Sequence, residues 1–75
     1  MYLVIELQTN GGQMANLAYS YSTRAEAESK FHAILSAAAV SSVDVHSAVV
    51  LDEEGCVLAN GSYAHKETAR RSIRR

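Results

Sequence analysis

The sequence contains no proline and no tryptophan, and it has a single cysteine and a single phenylalanine. Because Cys56 has no second thiol to pair with, an internal disulfide and a cysteine-rich zinc site are both excluded. No apolar run approaches the roughly 18 residues of a membrane-spanning helix. The first residues include Glu6 and lack a basic segment, which is not the pattern of a signal peptide. We therefore expect a cytoplasmic protein that makes no membrane contact.

The chain length of 75 residues is enough for one domain only. A chain this short buries only about 60% of the surface that its unfolded form exposes, so its core contributes little stability. Small domains without disulfides or metals often gain stability by oligomerisation. Self-association is therefore the expected source of additional stability.

Charge is divided unevenly along the chain. Residues 1–65 carry two basic and seven acidic side chains, a net charge of −5, whereas residues 66–75 carry five basic and one acidic, a net charge of +4. A basic segment can bind nucleic acid, an anionic ligand or the acidic part of a neighbouring copy. Since a duplex needs a broad basic surface, the acidic body disfavours nucleic acid as a partner.

Two stretches have the period-two alternation of β-hairpins. The strands are predicted at residues 2–8, 13–21, 43–51 and 56–63. Asn10-Gly11 supplies the positive φ angles that a tight hairpin turn needs. The second turn is predicted to end at Gly55.

The segment from Tyr21 to Val40 has the only clear helical period. Thr23 and Glu26 have the spacing of a capping box, which starts a helix. One stripe is apolar and consists of Ala27, Phe31, Ile34, Leu35 and Ala38. The opposite side is partly alanine, which reflects helix propensity or suits close packing against another copy.

These elements predict an α+β fold in the order β-β-α-β-β. One helix is expected to lie on one face of a four-stranded sheet, in a single domain at residues 1–64. Residues 65–75 are expected to form a basic C-terminal tail, either a short helix or an arm.

The sheet is predicted to be apolar on both faces. Leu3, Ile5 and Leu7 are assigned to the core face of the first strand. The face away from the helix is expected to contain Tyr2, Val4, Met14, Ala18, Ala48, Val50 and Leu58, diluted by Glu6, Asn16, His46 and Asn60. Because a large exposed apolar patch is unusual on a monomer, we expect a homodimer or higher homo-oligomer, formed by stacking sheet faces or by pairing edge strands.

Residues able to do chemistry are few and lack a motif. Cys56, His46 and Asp44 are the residue types of a thiol-protease triad, and strand pairing could bring the first two together. No recognised catalytic signature surrounds them. The spacings between the three histidines match no metal-ligand pattern. We therefore expect no enzyme activity, no catalytic residue, no metal site and no cofactor.

The entrance of the helix is the best candidate for a binding site. Free N–H groups and the helix dipole favour an anion there, and nearby tyrosines could stack on a base. The predicted ligand-binding residues are Tyr19, Tyr21, Thr23, Arg24, Arg70 and Arg71. The alternative is that Thr23 is only a cap, that Arg24 pairs with an acid and that the tyrosines close the edge of the core.

A sparse pattern runs through the helix and the strand after it. It comprises Tyr21-x-Thr23-Arg24-x-Glu26-Ala27, Phe31-His32-x-x-Leu35, Ala38-x-Val40, Val49-x-Leu51-Asp52 and Gly55. Over residues 2–63 the chain resembles small uncharacterised proteins of bacterial phages and prophages. The resemblance implies a phage or mobile-element origin and a location in the host cytoplasm, and it implies no particular activity.

The combined prediction is a non-enzymatic, homo-oligomeric binding protein of phage origin. It would sequester a small anionic, nucleotide-like ligand or block a host protein. The alternative is a structural or protein-interaction module, such as a phage assembly factor, without a small-molecule ligand. A second alternative is nucleic-acid binding through the basic tail.

Overall fold

A computed structural model describes residues 1–65 of the chain. The predicted basic tail, including Arg70 and Arg71, lies outside the described residues apart from His65. The elements are β1 (Tyr2–Asn10), β2 (Gln13–Tyr21), α1 (Arg24–Ala39), β3 (Val45–Asp52) and β4 (Val57–Ala64). The predicted α+β fold and its β-β-α-β-β order are confirmed. The one described helix is not long and apolar enough to cross a membrane.

The four strands form one antiparallel sheet in the order β2-β1-β3-β4. The strands β1 and β3 are therefore central, and the helical connection between the hairpins joins edge strand β2 to central strand β3. In this register Val4 lies opposite both Tyr19 and Val50. Directly opposite residues share a face, so the register decides which side chains face α1.

The first hairpin turns at Gly11 and Gly12, with φ angles of 62° and 82°. Two positive φ angles are the requirement of a type I′ turn, whose twist matches that of the flanking strands. The predicted position at Asn10-Gly11 is wrong by one residue, because Asn10 is the last residue of β1. Glycine adopts this conformation without the steric cost that other residues carry.

The helix begins at the predicted capping box. The Thr23 hydroxyl accepts a hydrogen bond from the Glu26 backbone N–H at 3.2 Å and donates one to Glu26 Oε1 at 3.1 Å. At the other end His65 Nε2 lies 2.8 Å from the Ala38 carbonyl oxygen, so this imidazole satisfies one of the last helix carbonyls. The capping box thus closes the first turn of α1, and the His65 contact joins the end of α1 to the residue that follows β4.

The core lies between α1 and one face of the sheet. Its buried apolar residues are Val4, Ala27, Phe31, Ile34, Ala48 and Val50, and Ala38 is also buried. The predicted helix stripe is confirmed, since Leu35 packs against this cluster from its margin. Large helix side chains thus meet small sheet side chains, the arrangement by which two layers interdigitate.

The assignment of the two sheet faces in β1 and β3 was wrong. Val4, Ala48 and Val50 lie beneath the helix, and Tyr2 packs against the same core. Leu3, Ile5 and Leu7 therefore point to the other side. Glu6 and Gln8 share the covered face of β1 with Tyr2 and Val4, so the less apolar face of this strand is the one beneath the helix.

A bulge explains why Leu58 also contacts the core. Val50 pairs with Ala59, but Leu51 pairs with Val57, which leaves Leu58 as an extra residue in β4. A bulge interrupts the strict alternation of side chains and bends the strand. Both Leu58 and Ala59 consequently pack against the core cluster, whereas uninterrupted alternation predicted Leu58 on the far face.

A substitution at Gly61 tests how closely α1 approaches β4. A Cβ at this position would lie 2.7 Å from Leu35 Cδ1, so Gly61→Ala forces the leucine to move. Overpacking costs about 1–3 kcal/mol, and the lower unfolded-state entropy of alanine offsets about 0.4–1 kcal/mol of it. We expect a net loss of about 1 kcal/mol in the free energy of unfolding, measured by urea denaturation.

The matched control is the same substitution in a Leu35→Ala background. With the leucine truncated, Gly61→Ala should become neutral or stabilising, because the clash is gone. Equal effects in the two backgrounds would contradict the predicted contact.

Candidate functional site

The surface of the sheet that faces away from α1 is called the open face. On the central strands it consists of Leu3, Ile5, Leu7, Thr9, Val45, Ser47, Val49 and Leu51, which pair directly across β1 and β3. No other helix or strand within residues 1–65 lies over these side chains. The open face is therefore an apolar surface that no described helix or strand covers.

Four polar and four apolar side chains of the edge strands flank the apolar centre of the open face. On the edge strand β2 the neighbours are Met14, Asn16, Ala18 and Ser20, and on β4 they are Val57, Asn60, Ser62 and Ala64. Val57 and Met14 are 56% and 69% exposed. An apolar centre with a more polar rim is the anatomy of a protein–protein interface.

The predicted anion site at the helix entrance is occupied by the chain itself. Thr23 caps the Glu26 N–H, and the Glu26 carboxylate also lies 3.5 Å from the Ser22 hydroxyl. Arg24 Nε donates to Glu28 Oε2 at 2.9 Å, an i,i+4 ion pair on the surface. Two carboxylates therefore stand at this entrance, and their negative charge disfavours a bound anion.

The predicted tyrosines lie beside a lysine that the sequence analysis did not select. Lys30 Nζ is 4.2 Å from the centroid of the Tyr19 ring, a cation–π contact. Tyr19 and Tyr21 both pack against the core. Lys30 also lines a shallow cavity of about 350 Å³ with Tyr21, Glu26, Ser29 and Ala33. The helical period could have indicated that Lys30 and Glu26 are neighbours, since they lie four residues apart on α1. It gives no information about the contact between Lys30 and Tyr19.

A carboxylate–imidazole pair lies on the helix side of the sheet. His46 Nε2 is 2.6 Å from Glu6 Oε2, and Gln8 Nε2 donates to the same oxygen at 3.0 Å. The His46 side chain is 6% exposed and that of Glu6 is 13% exposed. Sequence reasoning placed both residues on the exposed face of the sheet, and the error about β1 and β3 concealed this pair.

The environment of Glu6 shifts its pKa in both directions. Partial burial raises the pKa of Glu6, because desolvation disfavours the charged carboxylate. Hydrogen bonds from His46 and Gln8, the charge interaction with His46 and the positive charge of Lys30 lower the pKa, and the net shift is downwards. The carboxylate is consequently ionised at neutral pH and acts as the acceptor of this cluster.

The candidate triad is not assembled. The backbone N–H of Asp52 donates to the carbonyl oxygen of Cys56, whereas His46 pairs with Tyr63 at the other end of the same hairpin. Six residues of β-strand separate the two ends, about 20 Å at 3.3 Å per residue. The expected proximity of His46 and Cys56 was therefore wrong. Residues 1–65 contain no group of three or more histidine, cysteine, aspartate or glutamate residues placed to hold a metal ion.

No protein-family model, no curated protein and no solved structure matches this chain.

Acid should destabilise the fold through Glu6. Because the pKa of Glu6 is lowered in the folded state, its stabilising effect is present above the ordinary glutamate pKa, about 4.3, and is lost as the pH falls through the lowered value. We expect Glu6→Gln to flatten the fall in unfolding free energy between about pH 5 and pH 3. Urea denaturation at several pH values measures this slope.

A second variant separates the hydrogen bond from the charge. Gln8→Leu removes one donor to Glu6 and should change the acid slope in the same direction, but less. An acid slope that is identical in the wild type and in Glu6→Gln would contradict the role of this carboxylate.

Proposed function

We propose that this chain is a non-enzymatic binding protein that works as a homo-oligomer, with the open face as an interface between copies. The observation that carries the proposal is the apolar centre of this face, formed by central-strand side chains that α1 does not cover. A two-layer domain of this size needs a second covering layer for such a surface.

The dimensions of the face support a dimer. Four strands spaced about 4.8 Å apart, each about eight residues long at about 3.3 Å per residue, give a face of roughly 500 Å². Stacking two such faces buries about 1,000 Å² in total, which is the lower limit for a specific interface. The area is therefore sufficient for association, although it lies at the small end of the range.

A second copy is the occupant that fits best. The basic residues at 66–75 would lose their hydration against a leucine- and valine-rich surface, so the chain's own tail is a poor cover. A two-fold axis in the plane of the sheet places apolar centre on apolar centre and rim on rim. Such isologous contacts are the commonest arrangement in soluble oligomers.

The biological role remains that of a binder. A small oligomer presenting several identical surfaces is suited to stoichiometric capture of a host protein in the host cytoplasm, in line with the phage resemblance. A purely structural assembly factor would use the same interface without a further ligand. Co-purification of one stoichiometric host protein would favour capture over assembly.

Charge at the centre of the open face should break the interface. Ile5 lies on β1 between Ala18 and Val49, so Ile5→Lys places two ammonium groups within the stacked faces. Desolvating them costs several kcal/mol per ion, and we expect the mass in solution to fall at least by half while the circular dichroism spectrum is retained. Sedimentation equilibrium measures the mass.

The control is Ser62→Lys, which adds the same charge to the rim of the same face. Lysine there can extend into solvent, so the mass should remain that of the wild type. If Ile5→Lys and Ser62→Lys both keep the wild-type mass, the open face is not the interface.

A small anionic ligand is a second candidate function, and Lys30 is the observation that favours it. Its ammonium group lies over Tyr19 and lines the cavity beside Tyr21, and it forms no ion pair among residues 1–65. A nucleotide could place its phosphate at Lys30 and stack its base on a tyrosine ring.

Substitution of Lys30 tests this candidate. Lys30→Met keeps the aliphatic stem but removes the charge, so nucleoside monophosphate binding should weaken about tenfold, or 1.4 kcal/mol, in titration calorimetry. Glu26→Gln removes a negative charge from the same cavity and should strengthen binding. Absence of heat for every nucleotide with the wild type would remove this candidate.

A further inference from the structure

The edge strand β2 carries no protection against pairing with another strand. It is nine residues long, and its sequence QMANLAYSY contains no charged residue and no proline. Natural edge strands are usually blunted by lysine, proline, a bulge or a covering segment. All nine register pairs with β1 are regular, so β2 has no bulge either. Its outer side is therefore a template for another strand.

The other edge strand, β4, is irregular. The pairing of β4 with β3 shifts between Val50 and Leu51. A bulge increases the local twist and bends the strand away from a flat edge. Of the two edges of the described sheet, β2 is the regular one.

The register of the first hairpin shows which backbone groups of β2 point outward. Asn10 and Gln13 close a two-residue turn and form a hydrogen-bonded pair. Bonded and non-bonded pairs alternate along an antiparallel ladder. The odd-numbered residues of β2 therefore bond to β1, while the outward N–H and C=O groups belong to Met14, Asn16, Ala18 and Ser20.

We propose that β2 pairs antiparallel with β2 of a second copy about a two-fold axis at Leu17. In this register Asn16 faces Ala18 of the other copy and Met14 faces Ser20, so all four outward residues of each strand are used. About eight backbone hydrogen bonds result, since each pair of this type exchanges two. A register centred on Asn16 or Ala18 leaves one end of the strand without partners.

The side chains of β2 fit the same axis. Leu17 is 52% exposed although it lies on the helix side of the sheet, opposite Glu6. At the axis it meets Leu17 of the second copy as a non-hydrogen-bonded pair, the type with the closest side chains. Burial of a leucine on each side adds apolar contact to the backbone pairing.

A cavity of about 190 Å³ at this edge is closed by the second copy. It is lined by Glu6, Gln8, Ala15, Asn16 and Leu17. The two-fold axis brings Tyr19 of the second copy beside Ala15, on the open side of the cavity. Tyr19 of the second copy would therefore cover the Glu6 cluster, and β2 carries no charged residue that opposes its approach.

This interface extends the proposed oligomer and uses a different surface. The axis at Leu17 is perpendicular to the sheet, whereas the axis of the open-face contact lies in its plane. Where the in-plane axis runs across the strands and intersects the axis at Leu17, the two perpendicular two-fold axes generate a closed tetramer of the commonest tetrameric symmetry. The continuous sheet of each pair would then have eight strands.

Cysteine cross-linking tests the axis. The full chain with Cys56→Ser, which removes the exposed natural thiol, and Leu17→Cys is equilibrated with a glutathione redox buffer. We expect most of the protein as a disulfide-linked dimer on a non-reducing gel. The control Gln13→Cys in the same background lies on the same strand and the same side of the sheet as Leu17, away from the axis and from the open face, and should yield at least fivefold less dimer. Equal or negligible yields from both would overturn the proposal.

A second variant tests the β2 interface without an introduced cysteine. Asn16→Pro removes an outward N–H that the first hairpin does not use, and edge strands tolerate proline at such positions. In the Ile5→Lys background, where the open-face contact is broken, we expect the remaining dimer to become a monomer with an unchanged circular dichroism spectrum. A dimer that persists in the double variant would contradict pairing through β2.

The two interfaces fail in different ways. If Ile5→Lys yields monomers and Leu17→Cys gives no cross-link, the open-face interface stands and the β2 interface is wrong. If Leu17→Cys cross-links while Ile5→Lys leaves the mass unchanged, the β2 interface stands and the open-face interface is wrong. An extended segment of another protein on β2 would give no symmetric cross-link at Leu17.

Discussion

A single helix cannot cover both faces of a four-stranded sheet, and the rest of this structure depends on that constraint. Phe31 and Ile34 of α1 fill one side, where Val4, Ala48 and Val50 are fully buried or nearly so. The other side of the same central strands presents side chains that are just as apolar. We propose that a second copy buries these side chains, which would link the stability of this chain to association.

The order of elements could be predicted because it depends on local signals. Alternation marked the strands, and the Thr23–Glu26 capping box marked the start of α1. The choice of sheet face was predicted wrongly, because the more apolar side of β1, with Leu3, Ile5 and Leu7, is the one that α1 leaves open, while Glu6 shares the covered side with Val4. Close packing contributes to the choice at the centre of the sheet, where Val4, Ala48, Val50 and Gly61 lie beneath the large side chains of α1.

In the candidate site, contacts between residues close in sequence could be predicted, and contacts between distant residues could not. The capping role of Thr23 and the pairing of Arg24 with Glu28 follow from short spacings along the helix. The contact between Glu6 and His46 joins residues 40 positions apart, and it depends on the register of β1 and β3. The Leu58 bulge likewise lacks a sequence signal, since it arises from the fit of β4 around the core.

The central claim is that the open face is covered by a second copy in solution. The most direct measurement is the mass of the unmodified full chain by sedimentation equilibrium at micromolar concentrations. The subunit mass is 8.1 kDa, and we predict a species of at least twice this value, with dissociation only on dilution. A protein that stays soluble and has only the subunit mass across this range would contradict the account.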